Sequence, residues 1–321
     1  MKVLRDLSDI PDRPEGRAIT IGAFDGVHLG HGAVLRLVRD LANARGLAAT
    51  VLTFDKHPAE VVRPDSAPCL LTSLEQKLEL IDATNTVDEC VVLTFDETRS
   101  KETAEAFVSE VLAGALRTRL VVVGSDFHFG YRRHGDVPLL QRMGAELGFE
   151  VLGLGLVASP DGTAALETAV PYSSTRVRTL LANGDVAGAA EILGRPHEVR
   201  GTVEHGDARG RALGFPTANV AVPVQVCLPT DGVYAGSFTG ADGTERAAAI
   251  SLGRRPTFYA DAGLRLLEAY VLHFDGDLYD QASSVRFLHH LRRQERFAGV
   301  DALVEQMHKD VAETRRLVLG A

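Results

Sequence analysis

The first half of the chain alternates uninterrupted apolar runs with segments of helical periodicity. Apolar runs of this kind are typical of parallel strands that are covered on both faces. They predict strands at 18–23, 48–54, 90–95, 120–124 and 149–155. The helical spacing between them predicts helices at 33–44, 74–83, 104–116 and 138–147. This alternation favours a doubly wound α/β sheet whose ligand site lies at the carboxyl ends of the strands.

The pattern changes near residue 185. A helical stretch at 175–193 ends at Gly194, and short β-type runs follow without helices between them. They predict strands at 198–204, 232–238, 247–252, 266–274 and 284–288. Such a series predicts a small antiparallel β-barrel, and amphipathic spacing at 300–317 predicts a C-terminal helix. The expected organisation is a first domain at 1–184, a linker at 185–197 and a second domain at 198–321.

A glycine-rich turn joins the first predicted strand to the first helix, and it carries two histidines. It reads GAFDGVHLGH at 22–31 and is called the histidine turn below. Backbone N–H groups and the helix dipole form an anion site at such a helix start, where His28 and His31 add side-chain donors. Glycine turns are common and a single histidine is usually structural, so the prediction rests on the HxGH pair. This pair resembles the signature of the nucleotidyltransferase superfamily, and no P-loop segment occurs.

Two other segments of the first half contain candidate ligand residues. GSDFHFG at 124–130 leaves a predicted strand, and Phe127 and Phe129 either pack in the core or border a flat heterocycle. SSTRVR at 173–178 begins a helix. A Ser or Thr N-cap explains it simply, while arginines so close to a helix N-terminus make phosphate binding an equal alternative.

The second half combines neutral oxygen ligands with a carboxylate. In GRALGFPTAN at 210–219, Thr217 and Asn219 lie on one face of an extended segment. Their oxygens suit Mg²⁺ together with phosphate oxygens, and the alternative is a turn followed by an edge strand. Glu268 shares a predicted strand face with apolar residues. Because such surroundings can raise the pKa of a carboxyl group, Glu268 is a candidate general base.

Composition limits the expected partners. Hydrophobic residues make up 45% of the chain and charged residues 24%, as in ordinary globular proteins. The net charge of −9 argues against general nucleic-acid binding, which usually requires a basic stripe. The N-terminus lacks the apolar core of a signal peptide, and no apolar run approaches ~20 residues. We therefore expect a cytoplasmic protein without a membrane span.

Segments from both halves resemble, in the same order, the prokaryotic bifunctional riboflavin kinase/FAD synthetases. The matching segments are GAFDGVHLGH, GSDFHFG, SSTRVR, GRALGFPTAN, LGRRPTF, EAYVLHFDGDLYD and LRRQERF. The resemblance implies that the C-terminal barrel phosphorylates riboflavin to FMN with ATP. It implies that the N-terminal domain transfers AMP from a second ATP to FMN, which gives FAD and pyrophosphate. Mg²⁺ is the implied cofactor, the partners are small-molecule substrates, and homo-oligomerisation stays open.

The resemblance also implies site residues, with His28, His31 and Glu268 as the catalytic ones. At ATP in the adenylyltransferase half it implies Gly22, Phe24, Asp25, Gly26, Gly30, Ser174, Thr175 and Arg178. At the flavin in that half it implies Asp126, Phe127, His128 and Phe129. At ATP in the kinase half it implies Gly210, Gly214, Pro216, Thr217 and Asn219, of which Thr217 and Asn219 also hold the metal. At the flavin in the kinase half it implies Arg292, Glu295 and Phe297.

Three positions depart from the pattern of the family. His128 stands where an arginine is frequent, Lys56 where a proline is frequent, and Ser251 where an asparagine is common. Histidine carries less charge than arginine at neutral pH. Two alternatives therefore stay open: a riboflavin kinase with an impaired adenylyltransferase domain, and a flavin-nucleotide sensor without catalysis. The sensor predicts loss of Glu268 or of a histidine of the turn, and these residues are retained.

Overall fold

The computed structural model describes residues 1–155, 172–205, 210, 213–254 and 265–320. Parts of two expected ligand segments, at 211–212 and 255–258, lie outside these residues. Contacts divide the chain into two compact units, Met1–Ser174 and Thr175–Ala321. The division falls before the helical stretch at 175–193, whereas the sequence pattern placed the domain boundary near residue 184.

The first unit contains a parallel sheet. Among the described residues its strands are β1 (Lys2–Leu4), β2 (Arg17–Ile21), β3 (Ala48–Phe54), β4 (Glu89–Leu93), β5 (Thr118–Gly124) and β6 (Glu150–Leu154). They are arranged in the order β1-β4-β3-β2-β5-β6. Because β2 pairs with β3 on one side and with β5 on the other, the chain order reverses between β2 and β5. This parallel sheet with a reversal of strand order confirms the predicted fold class. Doubly wound sheets bind ligands at such a reversal, outside the carboxyl ends of the strands.

Helices and buried side chains cover both faces of this sheet. The helices are α1 (Leu29–Arg45), α2 (Pro58–Val62), α3 (Leu74–Ala83), α4 (Glu97–Ser100), α5 (Ala104–Ala106) and α6 (Val137–Leu147). Consecutive residues of β3 face different cores: Val51 packs in a cluster with Leu35, and Leu52 in a cluster with Val121. This two-sided burial explains why the strands are uninterrupted apolar runs.

The helix expected at 104–116 has an unexpected winding. After α5 the segment Phe107–Ala115 continues as a π-helix, and Leu116 N–H donates to Val111 O at 2.9 Å. Its apolar side chains, including Phe107 and Leu112, are buried in the core. The apolar pattern therefore predicted the burial of this segment but not its hydrogen-bond register, since i→i+5 turns have no strong sequence signal.

Two helices occupy the stretch that was expected to be one helix and a linker. They are α7 (Ser174–Ala182) and α8 (Val186–Leu193). Gly184 adopts a left-handed conformation with φ +81° and separates them, and Asp185 caps α8 by accepting a hydrogen bond from Gly188 N. Residues 175–193 belong to the second unit, where Leu181 O accepts a hydrogen bond from Thr230 N at 2.9 Å.

A closed antiparallel barrel forms the rest of the second unit. The described strands are β7 (His197–Glu204), β8 (Ala218–Ala221), β9 (Gly232–Thr239), β10 (Glu245–Arg254), β11 (Arg265–Val271) and β12 (Ala282–Arg292). They follow the order β10-β11-β8-β7-β12-β9, and pairing of β9 with β10 closes the barrel. The chain then forms α9 (Val300–Leu319). The predicted barrel and C-terminal helix are confirmed. Across the described ranges, no helix is both long and apolar enough to cross a membrane.

Candidate active sites

The histidine turn leaves the carboxyl end of β2 in a strained conformation. Gly22 N donates to Leu52 O at 3.1 Å and keeps the start of the turn beside β3. Phe24, Gly26 and Val27 then have positive φ angles of 51°, 80° and 37°. A positive φ is costly for Phe24 and above all for the β-branched Val27, and such strain clusters at functional sites. The turn therefore lies beside the point where the strand order of the sheet reverses. The contacts around it hold it in this costly conformation.

His28 and His31 lie together at the start of α1. The Nδ1 atom of His28 accepts a hydrogen bond from His31 N at 3.2 Å and caps the helix. The two rings stack with centroids 3.7 Å apart and an interplanar angle of 15°. Because Nδ1 accepts, the proton of the neutral His28 ring lies on Nε2, which is thus its hydrogen-bond donor. A Cβ at Gly30 would lie 3.1 Å from Nδ1 of His28, so glycine there allows this close packing.

Asp25 anchors the turn rather than extending into solvent. Its buried carboxylate accepts hydrogen bonds from Leu71 N at 2.9 Å and Thr72 N at 3.1 Å. The hydroxyl of Thr72 accepts one from Gly26 N at 3.1 Å, and Ser174 Oγ donates to Asp25 O at 2.8 Å. Asp25 and Ser174, both predicted at ATP, therefore help to fix the backbone of the turn. Their contact with ATP stays a prediction.

Helix α7 carries the two other residues predicted at ATP in this half. Thr175 and Arg178 follow Ser174 on the helix and belong to the second unit. The helix buries Val177 and Leu181. Roles of Thr175 and Arg178 at ATP stay predictions.

The loop after β5 divides into a buried and an exposed part. Phe129 is buried, and its ring lies 5.3 Å from Phe127 and 5.8 Å from Phe107. Asp126 and His128 are exposed, and a hydrogen bond of 2.8 Å joins His128 Nδ1 to Asp126 O. Of the alternatives for the two phenylalanines, core packing therefore applies to Phe129. Phe127 is half-buried at the rim of the same core.

The barrel brings polar side chains from four strands into one row. Glu268 on β11 is in register with Asn219 on β8 and with Ser251 on β10. Asn219 is also in register with Glu204 on β7. Directly opposed residues of antiparallel strands share a face, so these four residues form a polar row across the sheet. The neighbouring residue Leu267 is buried, which places the row on the outer wall of the barrel.

Aromatic residues border the polar row. The predicted face neighbours of Glu268, Leu266 and Tyr270, are half-buried beside it on β11. The ring of Phe215 lies 5.3 Å from Tyr270 and 5.0 Å from His308 of α9. The Glu268 carboxylate therefore lies on the outer wall beside half-buried apolar side chains, as the alternation of β11 predicted.

The glycine loop before β8 is closed by backbone hydrogen bonds. Gly210 O accepts from Leu213 N at 3.0 Å and from Phe215 N at 2.8 Å. A Cβ at Gly210 would clash with Phe215 O and lie 3.4 Å from Thr217 Oγ1. Gly214 is left-handed at φ +84°, and the following Pro216 is exposed. The close approach of Phe215 O explains the glycine at 210, and the left-handed turn explains the glycine at 214. The half-buried Thr217 follows this loop, directly before β8.

Arg292 makes a contact that the sequence did not suggest. Its guanidinium donates to both carboxylate oxygens of Asp310 on α9, at 3.0 Å and 2.7 Å. The same group lies 5.5 Å from the centroid of the Phe297 ring, and Glu295 is exposed. Arg292 thus joins β12 to α9, and contacts of Arg292, Glu295 and Phe297 with a flavin stay predictions.

Two residues near these sites escaped the sequence analysis. Lys77 lies on the predicted helix α3, where a lysine usually faces solvent, and Glu204 lies at the end of a strand. Neither position has a local pattern that distinguishes it from an ordinary surface charge. Only the strand register and the tertiary contacts bring them to the histidine turn and the polar row.

Comparisons with known proteins cover both units. A family model of FAD synthetase matches residues 10–163, and one of riboflavin kinase matches residues 193–318. The bifunctional riboflavin kinase/FMN adenylyltransferase of Escherichia coli K12 is 38% identical over 317 residues, 98% of this chain and 97% of its own. The protein of that name from Pseudomonas fluorescens is 37% identical over 317 residues, 99% of this chain and 98% of its own.

A crystal structure described as a macrolide-efflux protein from Streptococcus pneumoniae shares the whole fold. It has a TM-score of 0.83 and 28% identity, and the match covers 98% of this chain and 99% of that one. Together, the two folds and these matches define an ATP-dependent transferase with two catalytic domains. The chain belongs to the family of bifunctional riboflavin kinase/FMN adenylyltransferases.

Proposed function

We propose that this chain makes FAD from riboflavin in two ATP-dependent steps, one in each unit. The barrel transfers the γ-phosphoryl group of ATP to the ribityl 5′-hydroxyl of riboflavin and releases ADP. The α/β unit transfers AMP from a second ATP to the phosphate of FMN and releases pyrophosphate. The observation that carries the proposal is the pair of chemically different clusters, the stacked histidines at the start of α1 and the polar row on the barrel.

In the α/β unit the nucleophile needs no base. The second pKa of a phosphate monoester is about 6, so FMN is already largely dianionic at neutral pH. The obstacle is charge repulsion between FMN and the phosphates of ATP. The N–H groups at the start of α1 and the Nε2–H of His28 offset the negative charge that grows on the leaving pyrophosphate. His31 is assigned a further contact with the phosphates.

In the barrel the nucleophile is a hydroxyl, which is weak until it loses its proton. Glu268 accepts that proton as the hydroxyl attacks the γ-phosphorus in line with the departing ADP. Thr217 and Asn219 offer a hydroxyl and an amide oxygen, and Asn219 lies opposite Glu268. This donor set fits Mg²⁺ bound mainly through phosphates. The ion would supply neutralising charge to the phosphates of ATP. Thr217 and Asn219 would hold it, and Glu268 acts on the hydroxyl alone.

The proposal extends to the organisation and the setting of the protein. We assign adenylyl transfer to residues 1–184 and riboflavin phosphorylation to residues 198–321, with residues 185–197 between them. The family matches support this order of the two activities, since FAD synthetase matches residues 10–163 and riboflavin kinase residues 193–318. The partners are small molecules, and a net charge of −9 supports the absence of nucleic acid. The cytoplasm, which supplies ATP, is the proposed location.

A product time course tests the proposed function. Purified protein is mixed with riboflavin, ATP and Mg²⁺, and flavins are separated by chromatography at intervals. The expected result is FMN first and FAD later. FMN without FAD would identify a riboflavin kinase with an impaired adenylyltransferase domain, with His128 and Lys56 as the first residues to replace, by arginine and proline. Binding of flavin without any product would identify a sensor.

A further inference from the structure

A buried lysine lies beneath the histidine turn. Lys77 of α3 is 7% exposed, and its Nζ atom donates to Phe54 O at 2.7 Å, Thr53 Oγ1 at 3.1 Å and Ala23 O at 3.2 Å. An ammonium group has three N–H donors and no acceptor. The three oxygens therefore accept one hydrogen bond from each N–H group. This arrangement fits the charged ammonium form of the side chain.

These contacts connect α3 to the turn that carries the histidines. Ala23 belongs to the histidine turn, and Thr53 and Phe54 end β3, the neighbouring strand. Thr53 Oγ1 also donates to Ala23 O at 3.3 Å. On the other side, the Asp25 carboxylate accepts hydrogen bonds from backbone groups just before α3. The strained turn is thus held at Ala23 and at Asp25, on either side of Phe24, by α3 and the residues just before it.

The surroundings of Lys77 act on its protonation in opposite directions. Burial lowers the pKa of Lys77 below its ordinary value, while Cys90, Asp25, Asp55 and Glu60 oppose this shift. The net direction is downward, so this lysine loses its proton at lower pH than an exposed one. The neutral amine has two N–H donors, and at least one of the three hydrogen bonds is then lost.

We propose that Lys77 is a positioning residue for adenylyl transfer, and that the reaction in the α/β unit requires its ammonium form. Its charge and hydrogen bonds fix Ala23 O and, through the backbone, the placement of the histidines at the start of α1. This inference rests on the proposed adenylyl transfer in that unit. Lys77 has no role in phosphorylation of riboflavin by the barrel, which therefore serves as an internal reference in the same chain.

The first test compares Lys77→Met with wild type in the full-length protein. FMN-to-FAD and riboflavin-to-FMN rates are measured on the same preparations, with KM for ATP and FMN. A misplacement of about 1 Å at a reacting group lowers rates by about 100-fold, so we expect a loss of that order in kcat for FAD formation. The kinase rate stays unchanged. Lys101→Met, at an exposed lysine of the same unit, is the matched control and leaves both rates unchanged.

The second test uses the conservative variant Lys77→Arg and holds even where Lys77→Met is poorly folded. Arginine keeps the positive charge and does not lose a proton in the accessible pH range. FAD formation by wild type is expected to fall at alkaline pH while FMN formation persists. In Lys77→Arg the alkaline fall moves to higher pH or disappears. A purely structural lysine would change stability but would not move this limb of the pH profile.

Two results would overturn the inference alone. One is a folded Lys77→Met protein whose FAD rate stays within about threefold of wild type, far short of the expected loss. The other is an alkaline limb that is identical in wild type and Lys77→Arg. A wild-type protein that makes FMN but no FAD overturns the proposed function of the α/β unit, and the inference with it. That outcome is distinct because it needs no variant.

Discussion

Glu268 and Asn219 face each other across the β11–β8 pair, in register on the outer wall of the barrel. Directly opposed residues in antiparallel strands have Cβ atoms about 5 Å apart. The proposed base and the proposed metal ligand are therefore set by the backbone ladder itself. A group held by Asn219 and a hydroxyl bound at Glu268 would be neighbours without any adjustment of loops.

The first prediction concerns Glu268. Glu268→Gln keeps the size of the side chain but removes the proton acceptor, so FMN formation should fall by about 10²–10⁴-fold. Conversion of added FMN to FAD should be nearly unchanged. Chromatography of both reactions on one preparation measures this, and Glu305→Gln on the exposed face of α9 is the control. An equal fall of both rates in folded protein would contradict the assignment of separate sites.

The second prediction concerns the metal. Chelation of Mg²⁺ should stop FMN formation, and Asn219→Ala should raise the Mg²⁺ concentration at half-maximal rate by about tenfold or more. The reason is that the variant loses one of the two neutral oxygen donors beside Glu268. Asn183→Ala, at an exposed asparagine between α7 and α8, is the control. An unchanged Mg²⁺ dependence in Asn219→Ala would remove Asn219 from the metal site.

The third prediction separates two roles of His28. His28→Asn retains a good N-cap for the His31 N–H group but lacks the Nε2–H donor, whereas His28→Ala lacks both. Loss of a donor to developing negative charge costs about 10²–10³-fold, so both variants should lose FAD formation by at least that factor. Only His28→Ala should also destabilise α1, by about 1 kcal/mol. Rates of FAD formation, with FMN formation as the reference, and thermal unfolding of each variant provide the measurement, and a His28→Asn protein that still forms FAD would reduce His28 to a helix cap.

The fourth prediction concerns the pair of Arg292 and Asp310, which are 17% and 8% exposed in their side chains. Asp310→Asn leaves the guanidinium without its buried counter-charge, and we expect a loss of about 3 kcal/mol in unfolding free energy of the barrel. Urea unfolding monitored by kinase activity measures it. Glu313→Gln breaks the exposed pair with Arg316 on the same helix and should have little effect. Equal losses of unfolding free energy in the two variants would show that the buried pair stabilises the barrel no more than the exposed pair does.

The fifth prediction concerns Cys90 on β4, where burial raises the pKa of the thiol from 9.0 to about 12. The folded state then keeps a proton that the unfolded state releases, so this contribution to stability is present below pH 9 and is lost as the pH rises from about 9 to 12. Native Cys90 should resist iodoacetamide at about pH 8, since the thiolate is the nucleophile. Mass spectrometry of its peptide, native against urea-unfolded, checks this. Rapid alkylation of native protein would contradict it.

Long apolar runs explain how much of the fold was predictable. The expected strand at 48–54 and the expected helix at 74–83 match β3 and α3, because their burial repeats over many residues. The short strands β1 and β8 were not predicted, since three or four residues have too few repeats to show a period. The pattern of β8 was nevertheless read as an extended segment with Thr217 and Asn219 on one face.

The candidate sites were predictable only in part. The HxGH pair and the Thr217–Asn219 pair are short-range patterns, and for the first of them the structure stacks the two histidine rings. Lys77 and Ala23 are 54 residues apart in sequence, so no local pattern predicts their hydrogen bond. For Arg292, the long-range partner Asp310 gives the side chain a structural contact that the family resemblance did not imply.

The polar row has a consequence for how this chain acquires activity. Its members Glu204, Asn219, Ser251 and Glu268 come from four strands and meet only when the strand ladders are complete. The stacked histidines, in contrast, are three residues apart and can approach each other as soon as one helix forms. Non-local pairings of the first kind form late and slowly. Recovery of riboflavin phosphorylation after dilution from denaturant therefore reports completion of the three ladders β7–β8, β8–β11 and β11–β10.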